Sequence, residues 1–250
     1  MHRFGFTAIA LFVVASGSQA VLIAHYEAED NAFDTTGAHH GTVQNGAGFD
    51  SGQFGRAFRL NGSNQYVSAL DSSAFAFGSN SFSLSTWVNF DTIRLGGTGS
   101  IPNVFVAQDE GGGSTKKWIF YYDNNGIGFH INGPGGSVFL SAAFTPTVGA
   151  WTMFSLTRSG STYTFYANGS SIGTASSGLA INDGAAPLTI GQAEGLGFVD
   201  GRLDDVRIYD HELSASEVHD LYAPVPEPFT MGLAGLALAA AARRRLRKSA

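Results

Sequence analysis

Residues 198–222 read FVDGRLDDVRIYDHELSASEVHDLY, and the rest of the chain can be ordered around them. From Gly201 to Tyr209, β-branched and aromatic residues mixed with charges describe a half-buried strand. Asp204 and Asp205 lie inside it, although acids are normally depleted from strands. Ser214 then opens S-A-S-E, placing Ser214 at an N-cap and Glu217 three residues on, the pattern of a capping box. Pro224 keeps that helix short. A closing strand and one short capping helix mark the end of a domain.

Working outward, 33 glycines and 20 phenylalanines in 250 residues fit many short strands joined by tight turns. Leu22–Glu27 reads as the first strand. In Ser81–Phe90 (SFSLSTWVNF), Phe82, Leu84, Val88 and Phe90 share one face, while Ser83, Ser85, Trp87 and Asn89 take the other. Lys117–Tyr122, Gly126–Asn132 and Val138–Ala143 read as successive antiparallel strands, with the Asn125-Gly126 step supplying positive φ at the first turn. Trp151–Arg158 and Thr162–Tyr166 form a further hairpin. Ile93–Gly99 and Glu110–Ser114 are loops. No repeat and no linker interrupts the series, so residues 21–223 form one all-β domain, an antiparallel two-sheet sandwich.

Four stretches carry a family resemblance. They are the G-R-L-D-D-V-R-I-Y ending at Tyr209 with its L-S-x-x-E, the Gly52–Gly62 segment followed by Gln65-Tyr66-Val67, the S-F-S-L-S-x-W-V run, and Trp151 through Leu156-Thr157-Arg158 to Tyr166-x-Asn168-Gly169. Together they resemble LamG-like jelly-roll domains of the concanavalin A-like lectin and glucanase superfamily. The chain departs from that pattern at Gln65, where an Asp is common, and at Thr152-Met153, where two histidines are common. The resemblance implies a jelly roll with one structural calcium ion, held by the Asp205 carboxylate and by backbone carbonyls near Glu27 and Gly46. Read from the residues alone, Asp204 and Asp205 equally suit ion pairs with Arg202 and Arg207, or turn caps. His40, in the H-G-T-V position, takes a structural turn role.

Catalysis is not expected. Glycosidases on this sandwich carry E-x-D-x-E or E-x-D-x-x-E on one strand, setting two carboxylates about 5 Å apart. No such motif occurs, and the nearest pair, Glu27 and Glu29, sits at the end of the first strand. There is no G-x-S-x-G elbow and no cysteine, so thiol nucleophiles, thiolate metal sites and disulfides are excluded. His130 and His211 have no spaced partner. A sugar site needs aromatic platforms, and Trp87 and Tyr121 are the candidates. Tyr121 opposes the Trp118/Phe120/Tyr122 face of its strand, so one of the two sets leaves the core.

Both ends read as addresses. Residues 1–20 have a basic Arg3, an apolar Phe4–Ala15 and a Ser18-Gln19-Ala20 site, the layout of a secretory signal whose cleavage leaves Val21 first. In residues 224–250, Pro226-Glu227-Pro228 precedes apolar Phe229–Ala242 and basic Arg243–Lys248. That order resembles the PEP-CTERM sorting signal of Gram-negative, exopolysaccharide-making bacteria, and implies recognition by an exosortase-type protease and loss of the tail. The apolar segment covers only about 21 Å as helix against a hydrocarbon core of about 30 Å, which suits transient membrane association better than a permanent anchor. Between the two ends, eight Lys and Arg face nineteen Asp and Glu, a net −11 that disfavours nucleic acid. The expectation is an exported, non-catalytic protein of the cell surface or extracellular matrix that binds polysaccharide or matrix. A structural matrix protein without a ligand, and a divergent glycan hydrolase, are the alternatives.

Overall fold

The computed structural model describes residues 21–96, 101–112 and 116–223. The signal segment 1–20 and the sorting segment, with Pro226, Glu227, Pro228 and Phe229–Ala242, lie outside the described residues. Among the described residues, no helix is long and apolar enough to cross a membrane.

The chain forms strands β1 (Leu22–Tyr26), β2 (Gly41–Gln44), β3 (Gly48–Ser51), β4 (Arg56–Asn61) and β5 (Tyr66–Ala69). After one 3₁₀ turn come β6 (Phe82–Thr92), β7 (Val104–Asp109), β8 (Lys117–Asp123), β9 (Gly126–Gly133) and β10 (Gly136–Ala142). Then follow β11 (Trp151–Ser159), β12 (Thr162–Ala167), β13 (Ser170–Ser176), β14 (Leu188–Ile190), β15 (Asp200–Tyr209) and the helix α1 (Ala215–Tyr222). An eight-stranded sheet runs β13-β12-β11-β6-β15-β4-β3, with β1 also on β15, and a seven-stranded sheet runs β10-β9-β8-β7-β14-β5-β2. Every pairing is antiparallel. The expected sandwich is therefore what forms, with strand ends within a residue or two of those read from the pattern.

Alternation sorts the side chains. Phe82, Leu84, Val88 and Phe90 of β6 meet Trp118, Phe120 and Tyr122 of β8 in one core between the sheets. The Asn-Gly turn behaves as read: Gly126 has φ +109°, and a Cβ there would strike the Ala142 carbonyl. Outside the core, α1 lies over the eight-stranded sheet and seals a second cluster of Trp87, Met153, Tyr166, Leu213 and Val218. Its start is the expected capping box, with Ser214 and Glu217 each accepting from the other's backbone N–H.

The acidic pair in β15 has a topological cause. Residues 200–203 of β15 pair with β4, whereas 206–209 pair with β1 on the same side. The change of partner falls at Asp204 and Asp205, where β15 bulges and Asp205 takes φ +50°. A second organising acid, Asp34, is buried in the loop after β1. Its carboxylate accepts from the N–H of His25, Thr36, Ala38 and His39 and from the Thr36 hydroxyl. His40 plays its turn role there, accepting from the Asp34 N–H at 3.2 Å.

Candidate functional site

The seven-stranded sheet turns its second face to solvent and carries a groove of about 610 Å³. Strand register builds its floor. Asp109, Lys117, Asn132 and Ser137 form one cross-strand row over β7 to β10, and Ala107, Ile119, His130 and Phe139 form the next. Two loops make the walls, one with Arg94, Leu95, Ile101 and Pro102, the other with Ala193, Glu194 and Leu196. The walls meet where Val104 N–H donates to the Gly197 carbonyl at 2.8 Å. Gly197, at φ +63°, has no room for a Cβ beside the Ile101 carbonyl.

Ionic contacts hold the floor to one wall. Lys117 is buried and bridges Asp109 at 2.9 Å and Glu194 at 3.3 Å. Burial works against its charge, but the two carboxylates outweigh that and raise its pKa above the usual lysine range. Glu194 is held below the usual carboxylate range by the Gly112 N–H and by Lys117. His130 is pushed down by burial, with the Lys117 charge adding to the effect, so its imidazole is neutral. Its Nδ1–H donates to the Val138 carbonyl at 3.0 Å, which leaves Nε2 an acceptor. Phe139 is 54 % exposed and stacks on His130 with ring centroids 3.9 Å apart. An apolar ring beside neutralised polar groups is what the face of a sugar requires.

Of the two aromatic candidates, Tyr121 is on the outward face as alternation implies, but it is only 2 % exposed. It lies across Gly128, whose Cβ would strike its ring, and packs with Val104, Ile119 and Ala193 beneath the wall loops. Trp87 is 3 % exposed, with Phe54 edge-on to it and Tyr222 of α1 stacked over it at 5.5 Å. Both rings are therefore packing residues, corrected from platforms by covers that reach them from distant parts of the chain. The exposed groove ring that sequence reading missed is Phe139. Its signal was the same alternation, since His130 and Asn132 share a face of β9 opposite Phe129 and Ile131.

The residues named for calcium come together in part. Gly46, whose carbonyl accepts from Gln65 Nε2 at 2.7 Å, does not line the cavity that Asp205 lines. Asp205 Oδ1 takes His25 Nε2 at 2.6 Å and Arg207 Nη2 at 2.9 Å, which hold it below the usual carboxylate range despite burial. Glu27 and Asp205 do line one cavity, of about 390 Å³, together with Glu29, Asp204, Phe54 and Arg207. Asp204 Oδ2 accepts from the Phe54 N–H at 2.9 Å, whereas its buried Oδ1 has no partner among the described residues. Burial pushes Asp204 up to about 7. As placed, no three His, Asp or Glu among the described residues converge on a metal position.

A model of the concanavalin A-like lectin/glucanases superfamily matches residues 61–219. The chain belongs to that superfamily. A PEP-CTERM protein-sorting motif matches residues 224–248, which marks this superfamily member as an exported protein of the cell surface recognised by an exosortase. No curated protein matches it. Among solved structures, this concanavalin A-like chain is similar to domain 4 of AbnA, a GH43 extracellular arabinanase from Geobacillus stearothermophilus, in complex with arabinotriose. The TM-score is 0.68 at 19 % identity, covering 82 % of this chain and all of that one. It is also similar to the binding domain of Paraclostridial Mosquitocidal Protein 1, with TM-score 0.65, 19 % identity, and coverage of 80 % of this chain and 51 % of that one. The binding domain of Botulinum Neurotoxin serotype G follows at TM-score 0.58 and 20 % identity, covering 76 % of this chain and 47 % of that one. The chain thus spans about half the length of the toxin domains, and at these identities the likeness speaks for the fold alone.

Proposed function

We propose that this protein is an exported, non-catalytic carbohydrate-binding protein of the bacterial surface or exopolysaccharide matrix, taking sugar in the groove of the seven-stranded sheet. The exposed Phe139 stacked on neutral His130, beside the Asn132/Ser137 row, carries the reading. The arabinotriose complex of the similarly folded arabinanase domain supports it. Both groove carboxylates, Asp109 and Glu194, are committed to Lys117, which suits them to holding the floor rather than to proton transfer. A glycan array on the folded 21–223 domain is expected to return hits that Phe139→Ala removes. An array without hits would favour a structural matrix protein, and hits untouched by Phe139→Ala would move the site elsewhere. Hydrolysis of a bound glycan would overturn the non-catalytic reading.

A second reading concerns calcium, and Asp204 Oδ1 favours it: an orphaned, fully buried oxygen in a cavity shared with Glu27, Glu29 and Asp205. A cation there would neutralise that cavity and stabilise the native state by mass action. Chelation should then lower the melting temperature, and Asp204→Asn should abolish the response. A melting curve indifferent to both calcium and chelator would end this reading.

A further inference from the structure

Of the two cations that line the groove, Lys117 is ion-paired and Arg94 makes no ion pair among the described residues. Six of the other seven Lys and Arg between residues 21 and 223 make side-chain ion pairs or hydrogen bonds within the described fold. Arg56, Arg59, Lys117, Arg202 and Arg207 pair with carboxylates. Arg158 donates to the carbonyls of Gly160, Gly78 and Leu179, whereas Lys116, outside the groove, acts on Glu110 only through its charge. The exposed guanidinium of Arg94 has no hydrogen-bond or ion-pair partner among the described residues. Asp200 is its nearest acid: Arg94 Nη2 and Asp200 Cγ lie 2.8 and 3.1 Å from the place a Gly62 Cβ would occupy, close but not in ion-pair contact.

Its position is fixed although its head group is unpartnered. Asn103, buried at φ +52°, accepts from the Arg94 N–H at 3.1 Å and donates to the Arg94 carbonyl at 2.7 Å. The same amide donates to the Tyr122 carbonyl at 3.0 Å, so the wall loop is tied to β8. Arg94 therefore stands on a rigid base in the groove wall, in the same cleft as the Phe139 ring. Lys117, the other groove cation, is already neutralised by two acids.

We propose that the groove selects glycans that carry carboxylates, with a sugar carboxylate on the Arg94 guanidinium and the apolar face of a sugar on Phe139. The proposal rests on the carbohydrate reading of the groove. A planar guanidinium presents paired donors that match a carboxylate, and the contact is charge-assisted. Because the surrounding domain is acidic, the selectivity arises at the contact and not from long-range steering.

The test compares an oligogalacturonate with its methyl ester, which keeps the sugar rings but hides the charge. Titration calorimetry at low salt is expected to show about tenfold tighter binding of the acid form, the size of one exposed charge-assisted contact. That preference should shrink as salt rises, vanish in Arg94→Ala, and survive in part in Arg94→Lys. Equal affinity for acid and ester, or a preference that persists in Arg94→Ala, overturns the proposal. If in that case Phe139→Ala still abolishes binding, the groove reading stands and only the charge selectivity falls. Binding of neither ligand overturns the proposal together with the pectin-type glycan as probe of this groove, and the glycan array then decides the groove itself.

Discussion

Asp34 shows how much one side chain can organise. Five donors converge on its buried carboxylate, and they fix the loop from Thr35 to His39 against β1. Burial alone would raise its pKa, but the Thr36 hydroxyl and the backbone N–H groups of His25, Thr36 and His39 outweigh that and lower it. A depressed carboxylate contributes stability that is present above its unfolded pKa, near 4, and is lost as pH falls through the lower folded value. Asp34→Ala strands those donors and is expected to cost about 2–4 kcal/mol in urea unfolding at pH 7. The gap to wild type should narrow in titrations below about pH 4. A variant as stable as wild type would show that water replaces the carboxylate at no cost. In the sequence Asp34 is only the first letter of a D-T-T-G loop, because the donors it gathers are backbone groups common to every residue. Asp204 and Asp205 are conspicuous as acids in a strand. Their reason is hidden, because it lies in which two strands share one side of β15.

At the scale of elements, period-two alternation carries most of the fold. It places Phe82, Leu84, Val88 and Phe90 inward, and it sets Tyr121 opposite Trp118, Phe120 and Tyr122, as the structure shows. What alternation does not contain is cover. Tyr121 and Trp87 point out of the core, and each is then roofed by segments from far along the chain, the wall loops in one case and α1 in the other. Those contacts depend on tertiary closure such as Lys117 to Glu194, which no local pattern encodes. The groove is sensitive to what lies under it. Gly128→Ala would place a methyl group in the Tyr121 ring, 2.4 Å from Cζ, although neither residue lines the groove. The ring must then lift into the wall loops, so glycan affinity is expected to fall while the β8–β9 pairing persists. Unchanged affinity alongside unchanged hydrogen-exchange protection of the wall loops would show that the loops do not depend on Tyr121.

For the whole molecule, address and fold are separate devices on one chain. The sorting motif begins at residue 224, immediately beyond the docked end of α1. Replacing Pro226-Glu227-Pro228 by alanines in a host with the sorting machinery is expected to leave an unprocessed, membrane-associated form, whereas intact mass of the wild-type surface protein should end within the motif. Arg243 to Lys248 still attached to that mature protein would refute processing. The strand order adds a matter of timing. β15 sits between β6 and the β4/β1 pair, and β14 sits between β7 and β5, so the last strands made are at the middle of both sheets. Until residue 190 is available the seven-stranded sheet cannot close its longest-range pairings, and until residue 209 the eight-stranded sheet cannot; such pairings are the slow ones to form. A chain made from its N-terminus therefore carries two sets of hairpins that stay unjoined until β14 and β15 are added. Chains ended at residue 199 should be digested readily by protease, and chains ended at 223 should resist. The strand order thus leaves compaction to the final stretch of the domain.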